Sequence, residues 1–154
     1  VDSNIPAPFL ETDLNTFTAL WQQNCLGAFL FSKQLLPLMQ AQGEGTVFFT
    51  GATGSIRAKP PFTAFATAKA ALRALAQGLA REFSPQGIHV VHTIIDGVID
   101  GDRARSQFPE FVAAKGTDGL LQLEAITQTY WAIHQQPRSA WTHELDLRPY
   151  KEPF

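Results

Sequence analysis

Ile88-His89-Val90-Val91-His92-Thr93-Ile94-Ile95 is an almost unbroken apolar and β-branched run. A strand with one wet face alternates apolar and polar residues, whereas a strand covered on both faces, as in parallel sheets, need not. The run therefore predicts a buried strand of a parallel sheet. Just before it, Ser84-Pro85-Gln86-Gly87 ends an alanine-rich segment, residues 63–83, with Leu72, Leu75 and Leu79 on one side at helical spacing. Earlier still, residues 46–50 read Thr-Val-Phe-Phe-Thr between glycines and predict a second short buried strand. A polar loop, residues 51–61, connects the two.

The same reading extends to both ends. Residues 1–10, with Pro6 and Pro8 and no periodicity, predict an extended lead-in. Thr12 and Asp13 can cap a helix by accepting from its first free N–H groups. From Leu14 to Met39 apolar residues recur at helical spacing over a wide arc, with Pro37 expected to bend or end the last part and Gly43 and Gly45 to stop it. After the 88–95 strand, residues 101–121 are mixed, with a short helix expected around 109–114. Residues 123–134 predict another helix, stopped near Pro137, and residues 141–147 alternate as a weaker strand. Helices alternating with short buried strands define an α/β, three-layer arrangement on about three parallel strands, at residues 47–49, 90–94 and 144–147. That sheet is small for 154 residues. The wide apolar arc of the first helix implies that something N-terminal belongs here, or that a partner chain covers it.

Composition narrows the function classes. The length suits a single domain, residues 1–154, and 45% apolar residues with 17% charged exclude intrinsic disorder. Net charge is −2, so there is no basic excess for nucleic acid. The longest uncharged apolar run, residues 25–31, is far too short to span a bilayer. No charged, apolar leader opens the chain, and one cysteine can form no internal disulfide, so a cytoplasmic protein is expected.

Two constellations invite chemistry. Thr50-Gly51-Ala52-Thr53-Gly54 after a strand looks like a phosphate-cradling turn. The third glycine would fall at Arg57, however, and Lys59-Pro60-Pro61 delays any helix, so a plain turn at a strand end is expected. His89 and His92 point to opposite strand faces, and His134 and His143 add no zinc spacing, so no metal site is expected. Phe65-Ala66-Thr67-Ala68-Lys69 is more telling, because Phe65 and Lys69 share a helix face.

At these residues the sequence resembles the short-chain dehydrogenase/reductase family. The resemblance runs from Asn24-Cys25-Leu26-Gly27-Ala28-Phe29-Leu30 through the 46–50 strand and the Lys69 helix. It continues along Gly87-Ile88-His89-Val90-Val91 to Asp96-Gly97-Val98-Ile99. It implies the second half of a Rossmann-like domain and a catalytic set of Asn, Ser, Tyr and Lys. In that set Tyr exchanges a proton with the carbonyl or alcohol, and Lys lowers the Tyr pKa and holds the nicotinamide ribose. Ser positions the substrate oxygen, and Asn supports a water relay. Asn24 and Lys69 match their positions; the Tyr position is Phe65, and the Ser position, thirteen residues earlier, is Ala52. Thr53, Ser55 and Thr67 are the nearby hydroxyls, each a poor acid without activation.

The resemblance also implies NAD or NADP. Lys69, Gly97, Val98 and Ile99 would meet its nicotinamide end, while the Gly-rich pyrophosphate turn belongs to the family's first half, which has no counterpart here. The phosphate-touching Thr expected next reads Gly101, and Arg103 to Lys115, with Phe108 and Phe111, matches the substrate lid. The expected function is thus an oxidoreductase-class protein, weak or inactive alone. The alternative is a non-catalytic scaffold half-domain; in either case a homo-oligomer through residues 14–40 and 63–83 is expected. Each site residue also has a plainer reading: Asn24 as a buried polar tie, Lys69 as a solvated helix lysine, Phe65 as core packing, and Arg103 to Lys115 as a surface loop.

Overall fold

The computed structural model describes residues 6–153; residues 1–5 of the expected lead-in lie outside them. Asp13 caps α1 (Leu14–Trp21), its carboxylate accepting from the Thr16 N–H at 2.7 Å. One π turn, Gln22–Leu26, joins α1 to α2 (Gly27–Gln42), which Gly43 closes in the left-handed conformation at φ +73°. Pro37, expected to bend or end this helix, lies inside α2 and does not end it. Pro37 and Lys33, one turn before it, are both exposed, so solvent can satisfy the carbonyl that Pro37 leaves without a donor.

β1 (Gly45–Ala52), β2 (Ile88–Ile95) and β3 (Glu144–Leu147) form a parallel sheet in the order β1-β2-β3. Val47 pairs with Val90, and Thr93 with Leu145. Every residue of central β2 is buried, as its unbroken apolar pattern demands. Helix α3 (Thr63–Phe83) packs Leu72, Ala76 and Ala80 against Val47, Phe49 and Val90, with Leu36 of α2 alongside. Small alanines let the helix approach the sheet closely. Phe48 points to the opposite face and stacks on Tyr130 of α6 (Leu123–His134) at 4.7 Å. The sheet therefore lies between α1–α3 and α6, a three-layer α/β arrangement with a Rossmann-like partial sheet.

Between β2 and α6 lie α4 (Asp102–Gln107) and α5 (Pro109–Lys115). The sequence reading identified the second of these and not the first. β3, Glu144–Leu147, has the bounds expected for the third sheet strand; the first three residues of the alternating stretch 141–147 lie outside it, after a short turn at Arg138–Ala140. No helix among the described residues is long and apolar enough to cross a membrane.

Candidate functional site

The carboxyl ends of β1 and β2, the first turns of α3 and the α4–α5 segment enclose a cleft of about 640 Å³. Six of the seven residues singled out from the sequence line it: Ala52, Phe65, Lys69, Gly97, Val98 and Ile99. The seventh, Asn24, is not on its wall. It sits buried in the π turn, and its Nδ2 donates to the Leu20 carbonyl at 2.9 Å. Phe108 and Phe111 face the cleft from the α4–α5 side, where the lid was expected, and Phe62 adds a further aromatic wall.

Lys69 reaches the cleft because one helical turn separates it from Phe65. Its Nζ donates to the Thr50 carbonyl at 2.9 Å and lies 5.7 Å from the Phe65 ring centroid. Burial pushes the Lys69 pKa down from the usual lysine value. Phe65 is buried and Ala52 carries no polar side-chain atom, so neither contributes a hydrogen bond.

The nearby hydroxyls are engaged elsewhere. Thr53 Oγ1 donates to the Asp96 carboxylate. Ser55 is buried, and its Oγ accepts from the Ala52 N–H at 3.1 Å. Thr67 Oγ1 bonds back to the Thr63 and Ala64 carbonyls on the exposed side of α3. The glycine turn is a strand end followed by the short turn Thr53–Ser55, and α3 starts only at Thr63. A Cβ at Gly51 would stand 2.2 Å from His92 Nε2, so close packing alone explains that glycine. Gly97 has φ +148°, and a Cβ there would meet Pro149 at 2.7 Å. The Val98 carbonyl accepts from the Leu121 N–H at 2.9 Å, which fixes this floor of the cleft.

Two polar networks, each anchored on one buried side chain, back the site, and the sequence reading missed both. Asp96, 2% exposed, pairs with Arg57 at 2.9 Å and Arg148 at 3.0 Å. An acid closing an apolar strand was the available signal for this one. In the second, partly exposed Arg73 and Glu144 share two bonds of 2.7 Å, and Glu144 accepts from Nδ1 of fully buried His92 at 2.9 Å. The Arg73 and His92 bonds hold the Glu144 carboxyl at about 2, while burial pushes the His92 imidazole down. His89 bonds the Thr142 carbonyl and stacks on Trp141. Among the described residues no three His, Cys, Asp or Glu side chains are placed to share a metal ion.

A parallel sheet with a lysine-bearing helix beside its carboxyl edge defines a class that the comparisons then specify. A family model described as enoyl-(acyl carrier protein) reductase matches residues 2–123. A short chain dehydrogenase of Monascus purpureus is 32% identical over 111 residues, covering 72% of this chain and 37% of that protein. The crystal structure of a short-chain dehydrogenase from Rhodopseudomonas palustris superposes with TM-score 0.75 at 40% identity, covering 96% of this chain and 58% of that one. A gluconate 5-dehydrogenase from Burkholderia cenocepacia, in complex with NADP and tartrate, shares the fold at TM-score 0.77 and 18% identity, covering 95% of this chain and 60% of that one.

The chain belongs to the short-chain dehydrogenase/reductase family. It spans well under half of the curated Monascus relative and under two thirds of the matched crystal structures.

Proposed function

We propose that this chain forms the substrate-facing half of a nicotinamide-dependent oxidoreductase site and is weak or inactive by itself. The observation that carries the reading is the cleft, in which the retained Lys69 and the Gly97–Ile99 floor meet but, among the described residues, no free hydroxyl does. An ammonium has three donors, and Lys69 uses one on Thr50, which leaves two for the vicinal hydroxyls of a ribose. The donor set therefore suits the nicotinamide end of NAD or NADP, and Lys69, Gly97, Val98 and Ile99 would hold it. The occluded Gly51 turn does not suit a pyrophosphate. Bound nicotinamide would supply or accept a hydride.

This chain's own residues orient an apolar carbonyl or alcohol compound between the Phe rings and exclude water from it. Phe65 has no proton to exchange and Ala52 cannot hold the substrate oxygen. Such acid–base help is worth about 10²–10⁴-fold, so its loss supports low activity. Asn24 acts as a buried tie that holds the π turn beneath α3. A reducing, cytoplasmic setting belongs to the same reading, since Cys25 has no partner cysteine in the chain.

Titration with NADH and NADPH, with Lys69→Ala as control, tests this. Saturable binding that the substitution weakens is expected. Absence of binding at millimolar cofactor would overturn the cofactor role.

A second reading rests on a separate observation. Residues 14–32 contain no charged side chain, yet Leu14, Phe17, Trp21, Phe29, Leu30 and Phe31 are exposed, Leu30 at 53% and Phe31 at 62%. Exposed apolar side chains concentrated on one uncharged segment mark an interaction site. Its lack of charge lets it meet a second copy of itself without repulsion, so the proposed occupant is another copy, docked through residues 14–40 and 63–83. Sedimentation at micromolar concentration should report an oligomer that Phe31→Glu dissociates; a compact monomer would sink this reading.

A further inference from the structure

Lys69 is isolated chemically in a way that no neighbouring side chain shares. Among the described residues that line the cleft, only Lys69 and Arg103 carry an ionisable side chain, and a guanidinium does not deprotonate in proteins. Among the described residues Lys69 has no ion-pair partner; its Nζ donates to the Thr50 carbonyl and lies over the Phe65 ring. Burial alone moves its pKa down, and no carboxylate counteracts it. The space in front of it is walled by Phe62, Phe65, Phe108 and Phe111. A lysine desolvated in an apolar pocket is a standard route to an activated amine.

We propose that Lys69 is an amine nucleophile that captures apolar aldehydes, aromatic ones in particular, as an imine inside this cleft. The Nζ lone pair attacks the carbonyl carbon, and the carbonyl π pair moves to oxygen, which is protonated. Both protons of the neutral amine leave with that oxygen as water, and a C=N bond remains. Nothing is oxidised or reduced, and water returns the aldehyde by the reverse path. The phenylalanine at position 65 makes room for this: it brings no hydroxyl to compete for the carbonyl oxygen, and its ring faces an aromatic guest. The step needs no nicotinamide, so it stands or falls independently of the cofactor reading above.

The test is reductive trapping on the whole chain. The protein is treated at neutral pH with benzaldehyde and sodium cyanoborohydride, and separately with acetaldehyde, and the benzyl or ethyl adducts are mapped by peptide mass spectrometry. The other four lysines, Lys33, Lys59, Lys115 and Lys151, are internal references. Benzylation of Lys69 is expected severalfold faster than at any of them, with a smaller advantage for acetaldehyde. Phe111→Ala, which leaves Lys69 in place, should reduce the benzaldehyde advantage. Equal labelling of all five lysines, or an advantage that is the same for both aldehydes and unmoved by Phe111→Ala, would overturn the proposal.

Discussion

The foot and the head of the sheet were built under different constraints. At the foot, Ile88 and Val90 of β2 and Val47 of β1 meet Leu72, Ala76 and Ala80 of α3 in an apolar core. At the head, Ala52, Phe65 and Lys69 surround a cleft, and Asp96, Arg57 and Arg148 are locked together beside it. Burial at the foot sums many weak contacts and tolerates exchange among apolar residues of similar volume. Chemistry at the head hangs on single atoms, and two residues without those atoms leave the scaffold standing. A family framework is therefore a poor guide to whether the family's reaction survives.

The largest expected effect restores those atoms. Ala52→Ser with Phe65→Tyr should raise cofactor-dependent carbonyl reduction about 10²–10⁴-fold over the parent chain, measured as NADPH consumption with an aromatic ketone. A ring hydroxyl at position 65 would enter the cleft near Lys69, whose charge would favour its ionised form. If the variant binds NADPH and still shows no gain, the missing proton donor is not what separates head from foot.

Next come changes that unseat each end. Asp96→Ala leaves Arg57 and Arg148 without their shared buried carboxylate, and should cost about 3–5 kcal/mol in denaturant unfolding. Ile88→Ala removes fully buried apolar volume at the foot and should cost about 2–5 kcal/mol. The two should differ in reach. Asp96→Ala should alter the trapping rate at Lys69 as well as stability, whereas Ile88→Ala should alter stability alone. Equal effects on Lys69 would mean that the two ends are mechanically one.

The same contrast decides what the sequence made legible. Helices 63–83 and 123–134 and the strand 88–95 have the boundaries their periodicity predicts, because each buries a stripe or a whole strand. Helix α4, Asp102–Gln107, has no buried residue and so carries no apolar signal. The π turn at Gln22–Leu26 shifts the helical phase by one bond, too little for apolar spacing to reveal. At the site, the resemblance located the six residues that meet in the cleft, since their order along β1, α3 and β2 fixes where they converge. It was blind to the Arg73–Glu144–His92 chain, whose members are far apart in sequence and pair only once the parallel register sets His92 beside Glu144.

That chain gives the smallest and most specific prediction. Glu144 titrates at about 2 in the fold against an ordinary 4.5, so its contribution is present above about 4.5 and is lost as pH falls through about 2. His92 is pushed down from 6.5 by burial, so the unfolded chain takes up a proton first and stability begins to fall below about pH 6.5. Both groups act in one direction, and acidification from neutrality should lower Tm steadily, first through His92 and then through Glu144. Replacing the imidazole by a neutral amide, His92→Gln, should flatten the upper part of that slope, read as a smaller fall in Tm between pH 7 and pH 5 than in the parent chain. Ile88→Ala should shift the whole profile downward without changing its slope, because the side chain it removes does not titrate. An unchanged slope in His92→Gln would mean that the acid sensitivity arises elsewhere, with His89, buried in the same strand and also pushed down by burial, as the next place to look.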